Sequence, residues 1–173
     1  MAPSDRLKQF IQIPICRGLK EPEAKAILEI AEERKARAGE DVFREGDDGD
    51  GVYVLLEGSV EITKKDKAGN PQPLAQLSDG SAVGEMSLIT GDAPRSATAT
   101  AKTDSKLLKI SSARFSKLLS QDDVAALKIV RNLAQVMARR LHLASEKMVD
   151  LMDKPKRKEE LADFQRILTN WSF

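Results

Sequence analysis

The hydrophobic period of the chain changes twice, and this change constrains the fold more than any other feature. Between residues 39 and 111, apolar side chains alternate with polar ones in short runs that are separated by glycines near acidic residues. Val60–Thr63 after Gly58 alternates cleanly, and Val52–Leu56 before it is a run rich in branched and aromatic residues, which also favours a strand. Alternation with a period of two is typical of half-buried strands, and glycine supplies the tight turns between them. The pattern therefore predicts many short strands that form a barrel or sandwich over 39–111.

Helical spacing flanks this region on both sides. Residues 4–36 are predicted to be helical, with an interruption at Pro14 and a second start at Glu21, which is followed by proline and glutamate. Residues 112–152 are predicted to form a short helix and then a long one that begins at Asp122. The predicted fold class is α+β, with a barrel or sandwich of strands between two groups of helices. A domain over 1–152 would then be followed by a charged linker and a short helical tail over 153–173, which includes Trp171.

The long helix carries more apolar rows than one packing surface needs. One set is spaced by threes and fours throughout, as in a heptad seam: Leu127, Val130, Ala134, Met137, Leu141, Ala144, Met148 and Leu151. A second set occupies the adjacent rows: Ile129, Leu133, Val136 and Leu143. We infer two surfaces, one packed on the chain's own strands and one on the same helix, 123–152, of a second copy. A single broad contact with the chain's own core is the alternative.

Composition excludes several kinds of active site. The chain has one cysteine, Cys16, and one histidine, His142, so a metal site with three or four His/Cys ligands cannot form within it. His142 lies within the long helical pattern, which disfavours a Ser-His-acid triad. The net charge of +1 gives no indication of nucleic-acid binding, and the sequence contains neither a signal peptide nor an apolar run of membrane-spanning length. We expect a soluble cytoplasmic protein that is not an enzyme and uses no metal or cofactor.

The segment from residue 84 to residue 101 places polar residues where a phosphate could bind. Gly84 precedes a predicted short helix that starts at Glu85, and a helix N-terminus attracts anions. Arg95 can offer a planar set of donors to the same anion, Ser96 can add a hydroxyl, and Ala97 is small. This set suits a singly charged phosphate diester. A carboxylate at Glu85 would be repelled by the phosphate but could accept a hydrogen bond from a neighbouring ribose hydroxyl. The alternative is that Glu85 and Arg95 form an ordinary surface ion pair.

The order of these motifs resembles the cyclic nucleotide-binding domain of the catabolite activator and protein kinase A regulatory-subunit superfamily, over about residues 10–152. The motifs that carry the resemblance are, in chain order, Ala38-Gly39-Glu40, Arg44-Glu45-Gly46-Asp47, Tyr53-Val54-Leu55, Glu57-Gly58-Ser59-Val60, Gly84-Glu85-Met86-Ser87-Leu88 and Pro94-Arg95-Ser96-Ala97-Thr98. Ser87 stands where the family usually has alanine, which adds a possible donor. The resemblance implies an eight-strand jelly-roll-like β-barrel flanked by N-terminal helices and by C-terminal helices, the last one long.

The resemblance also implies roles for single residues. Glu85 would bind the ribose 2′-hydroxyl, and Arg95 would neutralise the cyclic phosphate. Backbone amides near Gly84 would complete the phosphate site with two side chains after the arginine, and the purine would lie near one apolar residue under the long helix. These further residues are Met86, Ser87, Ser96, Ala97 and Val83.

The function that follows is a cyclic nucleotide sensor, with cyclic AMP as the first candidate ligand and cyclic GMP as the alternative. We expect the ligand to be bound without metal and the signal to pass through movement of the C-terminal helix to an unidentified effector. The residues after 152 are too few for a helix-turn-helix, so no DNA-binding domain is expected. Two other classes stay open: a dimerisation or scaffold module with an unused pocket, and a small barrel enzyme resembling cupins, which the single histidine disfavours.

Overall fold

The computed structural model describes residues 3–90 and 93–152, which form helices, two sheets and short turns. The helices are α1 (Pro3–Gln12), α2 (Glu21–Glu29), α3 (Met86–Thr90), α4 (Ser112–Ser120) and α5 (Val124–Met152), with a 3-10 turn at Pro14–Cys16. The strands are β1 (Ala31–Ala36), β2 (Asp41–Phe43), β3 (Gly51–Glu57), β4 (Ser59–Lys65), β5 (Pro71–Ser78), β6 (Ala82–Val83), β7 (Thr98–Ala101) and β8 (Ser105–Ser111). The predicted α+β class with eight strands is confirmed for this part of the chain. The predicted linker and tail at 153–173, with Trp171, lie outside the described residues.

The prediction of helix as far as residue 36 was wrong for its last part. Helix α2 ends at Glu29, and Ala31–Ala36 forms strand β1, which pairs antiparallel with β8. The sequence AEERKA consists of good helix formers, but the ladder with β8 decides its conformation because propensity is weak against tertiary pairing. Strand β1 lies at the edge of its sheet, so most of its charged side chains stay exposed or half-exposed while Ala36 is buried.

The strands form two four-stranded sheets in which every pair is antiparallel. The first has the order β1-β8-β3-β6, and the second has the order β2-β7-β4-β5. Neighbours in each sheet are mostly distant in sequence, so the chain crosses between sheets repeatedly, as in a jelly roll. The predicted hairpin near residues 67–71 joins β4 to β5.

Strand β3 is buried on both faces and separates two apolar cores. Val52, Val54 and Leu56 point towards the helices and belong to the larger core. Tyr53 and Leu55 point into the space between the two sheets, where the smaller core lies. This follows from the strand period of two, which sends successive side chains to opposite faces. The space between the sheets is the one that the candidate site adjoins.

Helix α4 begins at Ser112 as predicted, and α5 begins at Val124, two residues after the predicted start at Asp122. The Asp123 carboxylate accepts a hydrogen bond from the Ala126 amide at 2.9 Å, which caps the start of α5. The chain divides into two compact units, Met1–Leu133 and Ala134–Phe173, and both cores lie in the first. Within that unit, Ile129 and Leu133 are fully buried while Leu127 is 49% exposed. The prediction that one stripe of α5 packs on the chain's own core is thus confirmed, and the domain boundary at residue 152 stays a prediction.

A polar cluster, here called the α5 junction, fixes the first half of α5 to the N-terminal segment. The Asn132 side-chain amide is buried and donates to the carbonyl oxygens of Ile15 (2.9 Å) and Arg17 (2.8 Å). One turn earlier, Lys128 Nζ lies 2.8 and 2.7 Å from the two carboxylate oxygens of Glu23. Both hydrogens of the Asn132 amide therefore have acceptors.

None of the helices in the described part of the chain combines the length and the apolar character that crossing a membrane requires.

Candidate functional site

The segment from β6 to α3 makes a tight turn at Gly84. Gly84 has φ +76°, in the left-handed region that favours glycine. A Cβ at this position would collide with Nη1 of Arg95, whose nitrogen donates to the Gly84 carbonyl at 3.1 Å. Only glycine therefore combines this backbone conformation with such a close approach of the arginine.

Arg95 is buried although it carries a charge, with its side chain 2% exposed. Nη1 donates to Gly84 O and to Ser87 Oγ (3.3 Å), and Nη2 donates to Asp50 Oδ1 at 2.6 Å. Nε is also buried and has no hydrogen-bond partner among the described residues. A guanidinium carries five N–H donors, and these contacts use three of them. The arginine can therefore still donate to a further acceptor.

Two aromatic side chains between the sheets hold the plane of Arg95. The guanidinium carbon lies 4.2 Å from the ring centroid of Phe43 and 5.5 Å from that of Tyr53. The two rings are themselves in contact, with centroids 5.8 Å apart. Stacking on aromatic faces stabilises a cation and shields it from water on that side. The rings thus fix the direction in which the remaining donors point.

Asp50 joins Arg95 to a second cation, Lys109. Asp50 Oδ1 is bound by Arg95, and Oδ2 lies 2.6 Å from Lys109 Nζ, while the Tyr53 hydroxyl lies 3.3 Å from both oxygens. Burial alone would raise the pKa of the Asp50 carboxyl, but the hydrogen bond and charge of Lys109 and the charge of Arg95 outweigh it and hold that pKa below its usual value. Asp50 is therefore a carboxylate at neutral pH, and the three residues together carry one net positive charge.

A cleft of about 580 Å³ opens beside this cluster. Phe43, Tyr53 and Asp50 form part of its wall, and Arg34 forms another part. Arg34 also stacks on Tyr53 at 5.6 Å and donates to its hydroxyl at 3.4 Å and to Asp41 O at 3.3 Å. Arg95 itself does not line this cleft, but its contact partners Asp50, Phe43 and Tyr53 do, and the space is large enough for a small molecule.

Comparison with known protein families identifies the family of this chain. The family model described as "Cyclic nucleotide-binding domain" matches residues 33–122, which include the turn at Gly84 and all of both sheets except the first two residues of β1. The chain belongs to the cyclic nucleotide-binding domain family. The predicted resemblance is thereby confirmed.

Two relatives are similar to this cyclic nucleotide-binding domain over about three quarters of the chain. A cAMP-dependent protein kinase regulatory subunit from Dictyostelium discoideum is 27% identical over 78% of this chain and 41% of its own length. A cyclic AMP receptor protein from Thermus thermophilus is 32% identical over 76% of this chain and 58% of its own length. The chain thus spans roughly two fifths to three fifths of these curated relatives.

Solved structures support the same fold. The Thermus thermophilus catabolite activator protein matches with a TM-score of 0.69 and 31% identity, over 81% of this chain and 63% of that one. A cyclic nucleotide-binding domain from Methylobacillus flagellatus matches with a TM-score of 0.76 over 84% of each chain. Its 22% identity supports the fold alone.

The structure brings most of the predicted site residues of the domain around one turn. Val83 is buried in the smaller core and pairs with Tyr53, and Glu85 is half-buried at the turn before α3. The Ser96 hydroxyl is exposed and lies 3.8 Å from the sulfur of Met86, and Ala97 is half-buried. The roles of these residues in binding stay predictions.

Ser87, which the sequence identifies as a possible donor, has its hydroxyl next to two backbone carbonyl oxygens. Its side chain is buried, and its hydroxyl lies 2.8 Å from Gly84 O and 3.0 Å from Gly51 O, to which it can donate. It also accepts from Arg95, and its amide donates to Gly84 O at 3.3 Å. The hydroxyl therefore positions the arginine.

Sequence reasoning missed four residues of this site: Asp50, Lys109, Phe43 and Tyr53. Asp50 stands in the run DDGDG, where acidic residues next to glycine indicate only a turn. The sequence leaves open a surface ion pair between Glu85 and Arg95. In the structure Arg95 is buried and pairs with Asp50. Lys109 alternates with apolar residues in β8, which indicates only a strand, and its place opposite Tyr53 follows from the β3–β8 register rather than from the sequence.

Proposed function

We propose that the site binds a cyclic nucleotide through Arg95, with cyclic AMP as the first candidate and cyclic GMP as the alternative. The observation that carries the proposal is a buried guanidinium whose Nε has no partner among the described residues. An unpaired buried donor is costly, so it calls for an acceptor such as a bound ligand, an ion or an ordered water. The printed names of the relatives from Dictyostelium and Thermus both refer to cyclic AMP, which favours that ligand.

In this proposal Arg95 supplies the charge that the cyclic phosphate needs. Helix α3 has five residues, so its peptide dipoles sum to little, and its contribution is limited to local amides. Gly84 allows the backbone to approach the phosphate, and Ser96 adds a hydroxyl at the rim. Glu85 accepts a hydrogen bond from the ribose 2′-hydroxyl, and the base lies towards Val83.

Substitution of Arg95 by glutamine tests the proposal directly. Arg95→Gln removes the charge and most of the donors but keeps a long polar side chain against the two rings. Loss of a hydrogen-bonded charge in such a site costs about 2–5 kcal/mol, which corresponds to roughly 30-fold or more in affinity for cyclic AMP. Isothermal titration calorimetry with cyclic AMP, cyclic GMP and non-cyclic AMP measures the affinity and the base preference.

Arg44→Gln is the matched control for this experiment. Arg44 lies on the same cleft and also pairs with an aspartate, Asp41, at 2.8 Å, but its side chain is 73% exposed. We expect it to bind cyclic AMP nearly as the wild type does. Equal affinities of wild type and Arg95→Gln would refute the proposed site.

The proposed output is movement of the C-terminal helix, read by a second copy or by an effector protein. Leu127 and Leu141 belong to the predicted seam of α5 and are 49% and 53% exposed. Exposed leucines at helical spacing are typical of a surface that packs against a partner helix. Sedimentation of the protein with and without cyclic AMP measures whether two copies associate and whether the ligand changes this.

One observation favours the alternative of a scaffold module with an unused pocket. Asp50 lies 2.6 Å from Arg95, so the buried guanidinium already has a counterion within the chain. Thermal unfolding with and without cyclic AMP distinguishes the two functions, because a ligand that binds the native state must raise the melting temperature. An unchanged melting temperature at millimolar ligand would favour the scaffold.

A further inference from the structure

We propose that Lys109 is a positioning residue that sets the affinity of the site for an anion by holding the second oxygen of Asp50. The inference rests on the proposed function and adds a residue from outside the segment that resembles the family's phosphate-binding motif. It concerns how much of the charge of Arg95 remains available to a ligand.

The geometry places Asp50 between two cations. Its Oδ1 accepts from Arg95 Nη2 at 2.6 Å, and its Oδ2 lies 2.6 Å from Lys109 Nζ. Lys109 lies opposite Tyr53 in the β3–β8 register, so both side chains are on the face that looks between the sheets. Its other cross-strand neighbour, Glu32 of β1, pairs with Arg114 at 3.2 Å. The ion-pair partner of Lys109 is therefore Asp50.

Charge balance gives the sign of the effect. Arg95, Asp50 and Lys109 carry one net positive charge, so a singly charged phosphate diester brings the cluster to neutrality. Without Lys109 the arginine and the aspartate balance each other, and the ligand would leave a net negative charge in a half-buried place. Asp50 would also interact with Arg95 alone, and it would compete more strongly with the ligand for that guanidinium.

Lys109→Met tests this role, and Lys106→Met is its matched control. Lys106 lies on the same strand and also pairs with a carboxylate, Glu57, at 2.6 Å, but it does not contact Asp50 or Arg95 in the described structure. We expect Lys109→Met to bind cyclic AMP about tenfold more weakly than the wild type. Lys109→Arg should restore most of the affinity, and Lys106→Met should bind like the wild type. Lys109→Gln serves as the second variant if the methionine variant folds poorly.

A double-mutant cycle with Asp50→Asn separates positioning from a merely structural effect. If Lys109 acts through Asp50, its replacement should change affinity little once Asp50 is neutral. A loss that persists in the Asp50→Asn background would overturn the mechanism, and equal affinity of Lys109→Met and wild type would overturn the inference while the proposed function stands. A wild-type protein that binds no cyclic nucleotide would defeat both.

Discussion

The α5 junction and the Arg95 cluster have similar chemistry but different hydrogen bonding. Each contains a cation–carboxylate pair and a buried polar side chain. At the junction, both amide hydrogens of Asn132 reach carbonyl oxygens, at 2.9 and 2.8 Å. In the cluster, Arg95 has a buried Nε with no partner among the described residues. Satisfied amide donors agree with a structural role for the junction, and the unpaired guanidinium donor agrees with the proposed binding role of the Arg95 cluster.

The largest expected effect on stability is at the junction. Asn132→Leu keeps the volume but leaves the carbonyls of Ile15 and Arg17 without their donor. We expect a loss of about 2–4 kcal/mol in the free energy of unfolding, because an unpaired buried polar group keeps its full desolvation cost. For a chain of this size this corresponds to a melting temperature lower by roughly 5–15 °C. Differential scanning calorimetry measures it.

The same variant should leave the binding site intact. The affinity of Asn132→Leu for cyclic AMP, measured below its melting temperature, should stay within about twofold of the wild type, since sites without shared partners act independently. A large loss of affinity would mean that the junction and the Arg95 cluster are coupled, and the proposed division between structural and binding clusters would fail.

The second expected effect concerns the backbone that supports Arg95. Gly84→Ala combines a left-handed backbone, φ +76°, with a collision against Nη1 of Arg95. Gly69 in the β4–β5 hairpin has φ +87°, and a Cβ there would meet nothing within 4 Å. Both alanine variants should lose about 1–2 kcal/mol of stability through backbone strain. Only Gly84→Ala should also lose affinity for cyclic AMP, by about tenfold or more, because the arginine must shift.

Calorimetric titration of both variants decides this point. If Gly84→Ala bound cyclic AMP as tightly as the wild type, Arg95 would tolerate displacement, and its close approach to Gly84 would have no role in binding. A loss of affinity in Gly69→Ala would instead show that general destabilisation accounts for the effect.

The part of the fold that the sequence predicted well is the part with a strong local pattern. Branched and aromatic residues predict β3, alternation with a period of two predicts β4, and the glycine-containing loop predicts the hairpin. Strand β1 could not be predicted, since AEERKA favours a helix locally and forms a strand only through pairing with β8. Its conformation is decided by a contact about 75 residues away in sequence.

The residues of the candidate site also differ in whether the sequence could predict them. Arg95 and Gly84 lie in a short segment whose residue types indicate an anion, so they could be predicted. Asp50 directly precedes β3, and Lys109 lies in β8. Only the sheet topology brings them to the arginine. Residues that complete a site through long-range pairing leave no local signal in a single sequence.

The smallest expected effect is an acid dependence that both clusters share. The hydrogen bond from Lys128 is the main cause that lowers the pKa of Glu23. For Asp50, burial opposes the lowered pKa, and Lys109 and Arg95 outweigh it. A carboxyl whose folded pKa lies below its unfolded value stabilises the fold above the unfolded pKa, about 4, and this contribution is lost as the pH falls through the folded pKa.

Urea unfolding between pH 6 and pH 2.5 should therefore show a smaller acid loss of stability for Glu23→Gln and for Asp50→Asn than for the wild type. Asp41 and Asp66 also have lowered pKa values, from the hydrogen bond with Arg44 and from that with the Asn70 amide respectively, so the difference between variant and wild type is the quantity to compare. Added cyclic AMP should change the acid limb of the wild type more than that of Asp50→Asn, because only in the wild type does the ligand share Arg95 with a carboxylate that titrates. If the ligand altered the acid limb of Asp50→Asn as much as that of the wild type, the carboxylate beside Arg95 would not take part in binding, and the distinction between the two clusters would rest on Nε alone.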